Sequence, residues 1–286
     1  MSTCLPNSLI TFIYDMLNLV VALPAEAKAL VDHWTLSRQD SCTVYPLYAA
    51  AGIRLIVCGP GKHAAVLATA FLAGVASTPE NELWLNVGIA GSAGYPVGTP
   101  VLANKVVDDV SGEIFYPTHA FHRICASSSV VTVPEVENNY GGSNVYDMEA
   151  SGFLMAATRF APSEQIQVFK VISDGPEAPP EHLAKDAVSA LVQGTLAPLQ
   201  TLCEELGAVQ LAANPRHSHS HQWDCFRNRW HFTTSQQHQL HRVLTALETF
   251  DAYWDPCDDC LEQLKTAKEV LIFLEAQRKR FIMRLA

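Results

Sequence analysis

The chain has 286 residues, 49% of them hydrophobic and 17% charged, enough apolar material for a sizeable core, which excludes a stapled mini-protein and wholesale disorder. Its net charge of -10, from 19 basic and 29 acidic side chains, repels a polyphosphate backbone, so no nucleic-acid partner is expected. The apolar stretch over residues 8–25 is interrupted by Asp15 and Asn18, has no Lys or Arg before it and is closed by Pro24 and Glu26, so it reads as neither a signal peptide nor a membrane span.

A cytoplasmic chain away from the membrane is expected. The eight cysteines are scattered, some inside apolar runs such as Ile56-Val57-Cys58, which suits reduced thiols. Along the chain, short apolar runs alternate with longer helical patterns. Residues 17–23 read as a buried strand running into a helix with Pro24 at its first position. A second strand, 53–58, meets Gly59-Pro60-Gly61-Lys62 ahead of a helix over 63–76. That glycine loop could cradle an anion at the helix start, but it matches neither the dinucleotide fingerprint nor the P-loop pattern and equally reads as a tight turn. A third strand, 83–87, ends in Gly88-Ile89-Ala90-Gly91-Ser92-Ala93-Gly94. Residues 101–107 and 168–172 are two more, the latter ending in Ser173-Asp174-Gly175. Strands that end in glycine or acidic residues ahead of a helix predict an α/β sheet with its site along the carboxyl strand ends.

Near residue 208 the chain changes character. Residues 1–221 carry 10 basic and 20 acidic side chains, whereas 222–286 carry nine of each. The expected organisation is a main domain over 1–208, a linker over 209–233 and a helical hairpin over 234–286. In the hairpin, Leu240, Val243, Leu244, Leu247 and Phe250 make one apolar face and Leu261, Leu264, Leu271, Leu274 and Phe281 another, with Asp255-Pro256 between them. Such a hairpin cannot bury enough surface alone, so it is expected to pack on the main domain, a second copy or a partner. His217, His219 and His221 with Cys225, Cys257 and Cys260 lack a paired zinc spacing, and no metal or cofactor is expected.

Three acidic positions stand out. Glu26 follows the first strand, Glu149 lies in Tyr146-Asp147-Met148-Glu149-Ala150 at the start of a small-residue helix, and Asp174 ends a buried strand. Each alone would serve as a helix cap or first-turn residue. Together, carboxylates at the mouth of one sheet are costly unless paired or used, and the conjunction favours chemistry.

These motifs, Val20-Val21-Ala22-Leu23-Pro24-Ala25-Glu26, Cys58-Gly59-Pro60-Gly61-Lys62, Asn86-Val87-Gly88-Ile89-Ala90-Gly91, Asp147-Met148-Glu149-Ala150 and Lys170-Val171-Ile172-Ser173-Asp174, stand in the order seen in the purine nucleoside phosphorylase and nucleosidase superfamily. The chain resembles its methylthioadenosine/S-adenosylhomocysteine nucleosidase branch over roughly residues 17–206. The resemblance implies a mixed central sheet flanked by helices, with the C-terminal hairpin as an addition. It implies a purine nucleoside or thionucleoside as the small-molecule partner, cleavage of the N-ribosidic bond to free base, and a homodimer. It assigns Glu149 to the ribose hydroxyls, Met148 to packing on the sugar, Asp174, aided by Ser173, to protonating the purine N7, and Glu26 to the attacking water. Cys58, Gly61, Ala90 and Gly91 complete the implied substrate wall.

Phosphorylases of this superfamily hold phosphate with arginines, one of them just before the glycine motif, where this chain has Asn86. A dianion there would lose its bidentate partner and meet Glu26, so hydrolysis is expected, with Lys62 and Arg54 as the cations that argue for phosphorolysis. Residues 127–144 carry Pro134, Asn138, Asn139, Gly141 and Gly142 but no Phe-Ile-Asn counterpart of the base-stacking loop, so the base is not named. A catalytically idle nucleoside sensor acting through the hairpin is the alternative of a different class.

Overall fold

The computed structural model describes residues 16–50, 52–76, 81–118, 120–138, 140–142, 144–180, 183–213, 220–250, 261 and 263–285. The chain divides into two compact units, Met1–Ala212 and Ala213–Ala286.

The first unit runs β1 (Leu17–Val21), α1 (Pro24–Trp34), β2 (Ser37–Arg38), β3 (Leu47–Ala50), β4 (Ile53–Val57), α2 (Lys62–Val75), β5 (Leu83–Ser92), β6 (Pro100–Asp108), β7 (Ile114–Phe115), β8 (Ala126–Thr132), β9 (Val145–Asp147), α3 (Ala150–Ala157), β10 (Ile166–Asp174), α4 (Lys185–Gly194) and α5 (Leu196–Ala213). Its mixed sheet has β1 parallel to both β4 and β5, and β5 parallel to β10. Strand β10 then pairs antiparallel with β6, β6 pairs parallel with β8 and β8 with β9. The last, β9, returns antiparallel onto the end of β5, Gly91 facing Tyr146, so five strands close on themselves. The carboxyl ends of β1, β5 and β10 therefore lie side by side.

Strand alternation explains why helices cover both faces. In β1, Leu17, Leu19 and Val21 point into one core with Ala27, Leu30 and Trp34 of α1 and Leu199, Leu202 and Leu206 of α5. Val20 points the other way, into a core with Ala65, Ala68 and Leu72 of α2 and Phe153 and Leu154 of α3. The helix α1 starts where Pro24 presets φ and its missing N–H is not needed.

Two expectations about elements change. The strand expected over 83–87 extends to Ser92, so Gly88-Ile89-Ala90-Gly91 lies within β5. Residues 209–233, expected as a linker, include the end of α5 and a helix of the second unit, α6 (Ser220–Arg229). The His/Ser-rich composition of this stretch hides a stripe, Trp223, Phe226 and Trp230, at three- and four-residue spacing.

In the second unit, α6 is followed by α7 (Thr234–Phe250) and α8 (Ala267–Leu285). Phe226 and Trp230 join Leu240, Val243, Leu244, Leu247, Leu271 and Leu274 in one core. Both long helices start with reciprocal caps. Thr233 Oγ1 accepts from the Gln236 N–H while Gln236 Oε1 accepts from the Thr233 N–H. Thr266 and Glu269 repeat the arrangement. Asp255, Pro256, Cys257, Cys260, His217 and His219 and the side chains of His221, Phe250 and Phe281 lie outside the described residues. Among the described residues no helix is long and apolar enough to cross a membrane.

Candidate active site

A cavity of about 440 Å³ opens at the carboxyl ends of β1, β5 and β10. Glu26, Ala90, Gly91, Met148, Glu149, Ser173 and Asp174 all line it, so seven residues singled out from the sequence meet in one space. Cys58 and Gly61 do not line it; Pro60, between them, does.

Glu26 sits in the first turn of α1 and is almost fully buried. Its Oε2 accepts from the N–H groups of Ala22 (2.9 Å) and Leu23 (2.8 Å), and its Oε1 accepts from the Ile89 N–H of β5 (2.9 Å). Burial pushes its carboxyl above the ordinary range, against the pull of these amides and of Lys170. The carboxylate thus ties the start of α1 to the end of β5 and still faces the cavity.

Glu149 precedes α3, and its Oε1 accepts from the Gly61 N–H at 2.7 Å. Gly61 has φ of 103°, a conformation that costs a residue with a Cβ, and this turn aims the amide at the carboxylate. Burial raises the Glu149 carboxyl to about 7; the neighbouring Asp147 and Glu26 add to the rise, and Lys170 and the Gly61 amide oppose it.

Beneath these two lies a fully buried ion pair, Lys170 Nζ to Asp147 Oδ2 at 2.7 Å. Asp147 Oδ1 accepts from Thr132 Oγ1 at 2.7 Å, and Oδ2 also accepts from the Ala150 N–H at 2.7 Å, capping α3. Burial alone would lower the Lys170 pKa, but the Asp147, Glu149 and Glu26 carboxylates outweigh it and hold Lys170 above its ordinary value, so it stays charged. A Cβ placed on Gly88 would come within 3.0 Å of Glu26 Oε1 and 3.4 Å of Lys170 Nζ, so both groups crowd over β5 at this point. The ammonium pairs with Asp147, and the charges of Glu149 and Glu26 act on it from farther away.

At the other corner, Asp174 ends β10. Its Oδ1 accepts from the Ser173 hydroxyl and its Oδ2 from the Tyr140 hydroxyl. Ser173 Oγ also lies 3.3 Å from the Ala90 carbonyl oxygen.

Sequence reasoning missed the Lys170–Asp147 pair and Tyr140. The first had a signal: a lysine in the middle of Ile-Gln-Val-Phe-Lys-Val-Ile-Ser-Asp, a strand buried along its whole length, must have a carboxylate partner. Tyr140 had none beyond its place in the loop between β8 and β9, which also brings Val133, Val136 and Glu137 to the cavity.

The cations weighed as phosphate anchors are engaged elsewhere. Lys62 pairs with Asp108 at 2.7 Å and Arg54 with Glu82 at 2.9 Å, and neither lines the cavity. Burial works against the Asp108 charge, but Lys62 and the donors of Ser111 and Ser151 hold its carboxyl well below the usual range. Asn86 is buried in β5, donating to the Val20 carbonyl at 3.0 Å. Lys185 is the one basic residue in the wall among the described residues. The Cys58 thiol donates to the Gly59 carbonyl, and burial, with the nearby Glu149 and Glu26 charges, pushes it up to about 12, which makes it a poor nucleophile.

Comparison with known proteins gives the fold. The chain is similar to the 5'-methylthioadenosine nucleosidase of Arabidopsis thaliana, with 16% identity, 68% of this chain and 96% of that one covered, and a TM-score of 0.57. The first unit has the nucleosidase fold. A 5'-methylthioadenosine/S-adenosylhomocysteine nucleosidase from S. pneumoniae, solved with a transition-state inhibitor, is 18% identical over 68% of this chain and 99% of that one, with a TM-score of 0.54. One from Colwellia psychrerythraea, in complex with adenine, is 20% identical over 65% and 96%, with a TM-score of 0.52. No family model and no curated protein matches the sequence.

Proposed function

We propose that the first unit hydrolyses the N-ribosidic bond of a purine nucleoside or thionucleoside and releases the free base. The observation that carries this reading is the convergence of Glu26, Glu149 and Asp174 on one cavity at the carboxyl ends of the sheet. The adenine and the transition-state inhibitor held by two structural neighbours support a purine-sized occupant.

In this reading Asp174, in its acid form, gives its proton to N7 of the base as the bond between C1' and N9 breaks and its electron pair passes to the base. The sugar takes on oxocarbenium character, and Glu149 faces it and holds the ribose hydroxyls. Water adds to C1', and its proton goes to Glu26. A carboxylate raised by burial is a better proton acceptor than one in water, and the amides on Glu26 fix the direction from which it acts. Lys170 keeps the Glu26 and Glu149 charges tolerable at close range. Phosphate as nucleophile is disfavoured by the engagement of Lys62 and Arg54 with buried carboxylates and by the negative charge around C1'.

The test is incubation of the purified chain with purine nucleosides and 5'-thionucleosides, with and without phosphate, beside Asp174→Asn. Base release independent of phosphate is expected, and Asp174→Asn should lower turnover by roughly 100-fold while keeping ligand binding. Release only with phosphate would replace hydrolysis by phosphorolysis. Binding with no cleavage would leave a nucleoside sensor.

A further inference from the structure

Both oxygens of Asp174 already accept a hydroxyl, Oδ1 from Ser173 and Oδ2 from Tyr140. Each oxygen can accept a second hydrogen bond, but Tyr140 crowds the Gly91 side of Oδ2, so a base that approaches that oxygen meets the phenol there. Ser173 is the preceding residue of β10, buried, and its hydroxyl also lies against the Ala90 carbonyl. Tyr140 comes from the loop between β8 and β9 and is only half-buried. Its ring lies directly over β5: a Cβ on Gly91 would fall within 2.5 Å of Tyr140 Cε1 and collide with Asp174 Oδ2. The glycine therefore leaves just the room that the carboxylate and the phenol share. The ring packs edge-on to Tyr146, with centroids 6.1 Å apart, and the Tyr146 hydroxyl donates to the Gly141 carbonyl at 2.9 Å and accepts from the Gly141 N–H at 3.2 Å, which fixes the loop next to Tyr140.

We infer that Tyr140 is a positioning residue which holds the outer oxygen of Asp174 and yields it to the incoming base, so that every ligand of this corner competes with the phenol. The inference rests on the nucleosidase reading of the cavity. The hydroxyl orients the carboxylate toward the base side before a ligand arrives, and it weakens ligand binding by the strength of the hydrogen bond that must be given up. The loss of one such hydrogen bond sets that competition at about tenfold.

The experiment measures adenine binding by calorimetry to the full chain and to Tyr140→Phe, Asp174→Ala and the double variant, with melting curves to show that each folds. Tyr140→Phe should bind adenine about tenfold more tightly than the parent, and the same change in the Asp174→Ala background should have no effect, because the Tyr140–Asp174 hydrogen bond is already gone. Equal or weaker binding by Tyr140→Phe would overturn the inference while leaving the nucleosidase reading in place. So would a gain that persists without Asp174, since the ring would then act by bulk alone. If neither the parent nor any variant binds adenine, the reading of the cavity falls, and the role of Tyr140 with it.

Discussion

Asp147 and Asp174 line the same cavity and are held in opposite ways. Asp147 is fixed by a buried ammonium, a threonine hydroxyl and the backbone amide that starts α3. Asp174 is held by two hydroxyls, one of them on a loop. Backbone amides and a buried cation cannot leave without taking structure with them, whereas a loop hydroxyl exchanges for another partner at the cost of one hydrogen bond. The first arrangement suits a rigid floor that supports Glu26 and Glu149; the second suits the place where a ligand comes and goes.

The strongest way to break this contrast is to remove the cation. In Lys170→Met, Asp147, Glu149 and Glu26 would share a low-dielectric space without a counter-charge, and a loss of about 3–5 kcal/mol is expected, as for other broken buried pairs. For a domain of this size that is on the order of 10 °C in thermal melting. Adding Asp147→Asn should recover part of the loss by removing one of the stranded charges. A loss below about 1 kcal/mol in urea titrations would show that solvent already screens the pair, and the floor would be no more rigid than the Asp174 corner.

A smaller effect tests the floor through pH. The Glu149 carboxyl is raised from 4.5 to about 7, so between these values the folded chain binds more protons than the unfolded one. The stability owed to this group is then complete below about pH 4.5 and is lost as pH rises through about 7. Glu149→Gln mimics the protonated acid and keeps an oxygen for the Gly61 amide. Its stability relative to the parent should therefore grow between pH 5 and pH 8 by on the order of 2 kcal/mol. Melting curves across that range check this, and a difference that stays flat with pH would mean that Glu149 is solvated well enough to ionise normally.

The contrast also separates what was legible in the sequence from what was not. Glu26, Glu149 and Asp174 were readable because each follows a strand or opens a helix, positions that the chain order alone places at one sheet edge. Tyr140 was not readable, because its contact with Asp174 joins residues 34 apart across a loop with no periodicity. The closure of β9 back onto β5 lay beyond sequence patterning for a related reason: a three-residue strand carries too little pattern to declare its partner. The helix α6 was obscured by composition, its aromatic stripe thinned by His, Ser, Asn and Arg.

The smallest expected effect concerns the second unit, and it asks whether the contrast within the cavity depends on anything beyond residue 213. Every described residue of the cavity wall falls between Ala22 and Val188. The core beneath α1 is completed by Leu199, Leu202 and Leu206 of α5, and Gln210 donates to the Asn81 carbonyl, so a chain ending after Ala213 keeps its own packing. Among the described residues, the helices beyond it share an aromatic and leucine core, and α7 and α8 have capped starts, which marks them as a unit stabilised from within. A truncation ending at Ala213 should therefore fold, bind adenine as the full chain does, and release base at a rate per site within a few-fold of it. Size-exclusion chromatography of both forms would show whether the second unit governs assembly. If the truncated chain folds and binds adenine normally yet has lost turnover, the second unit supplies something the reaction needs, and the division of labour argued from the cavity wall would have to be redrawn.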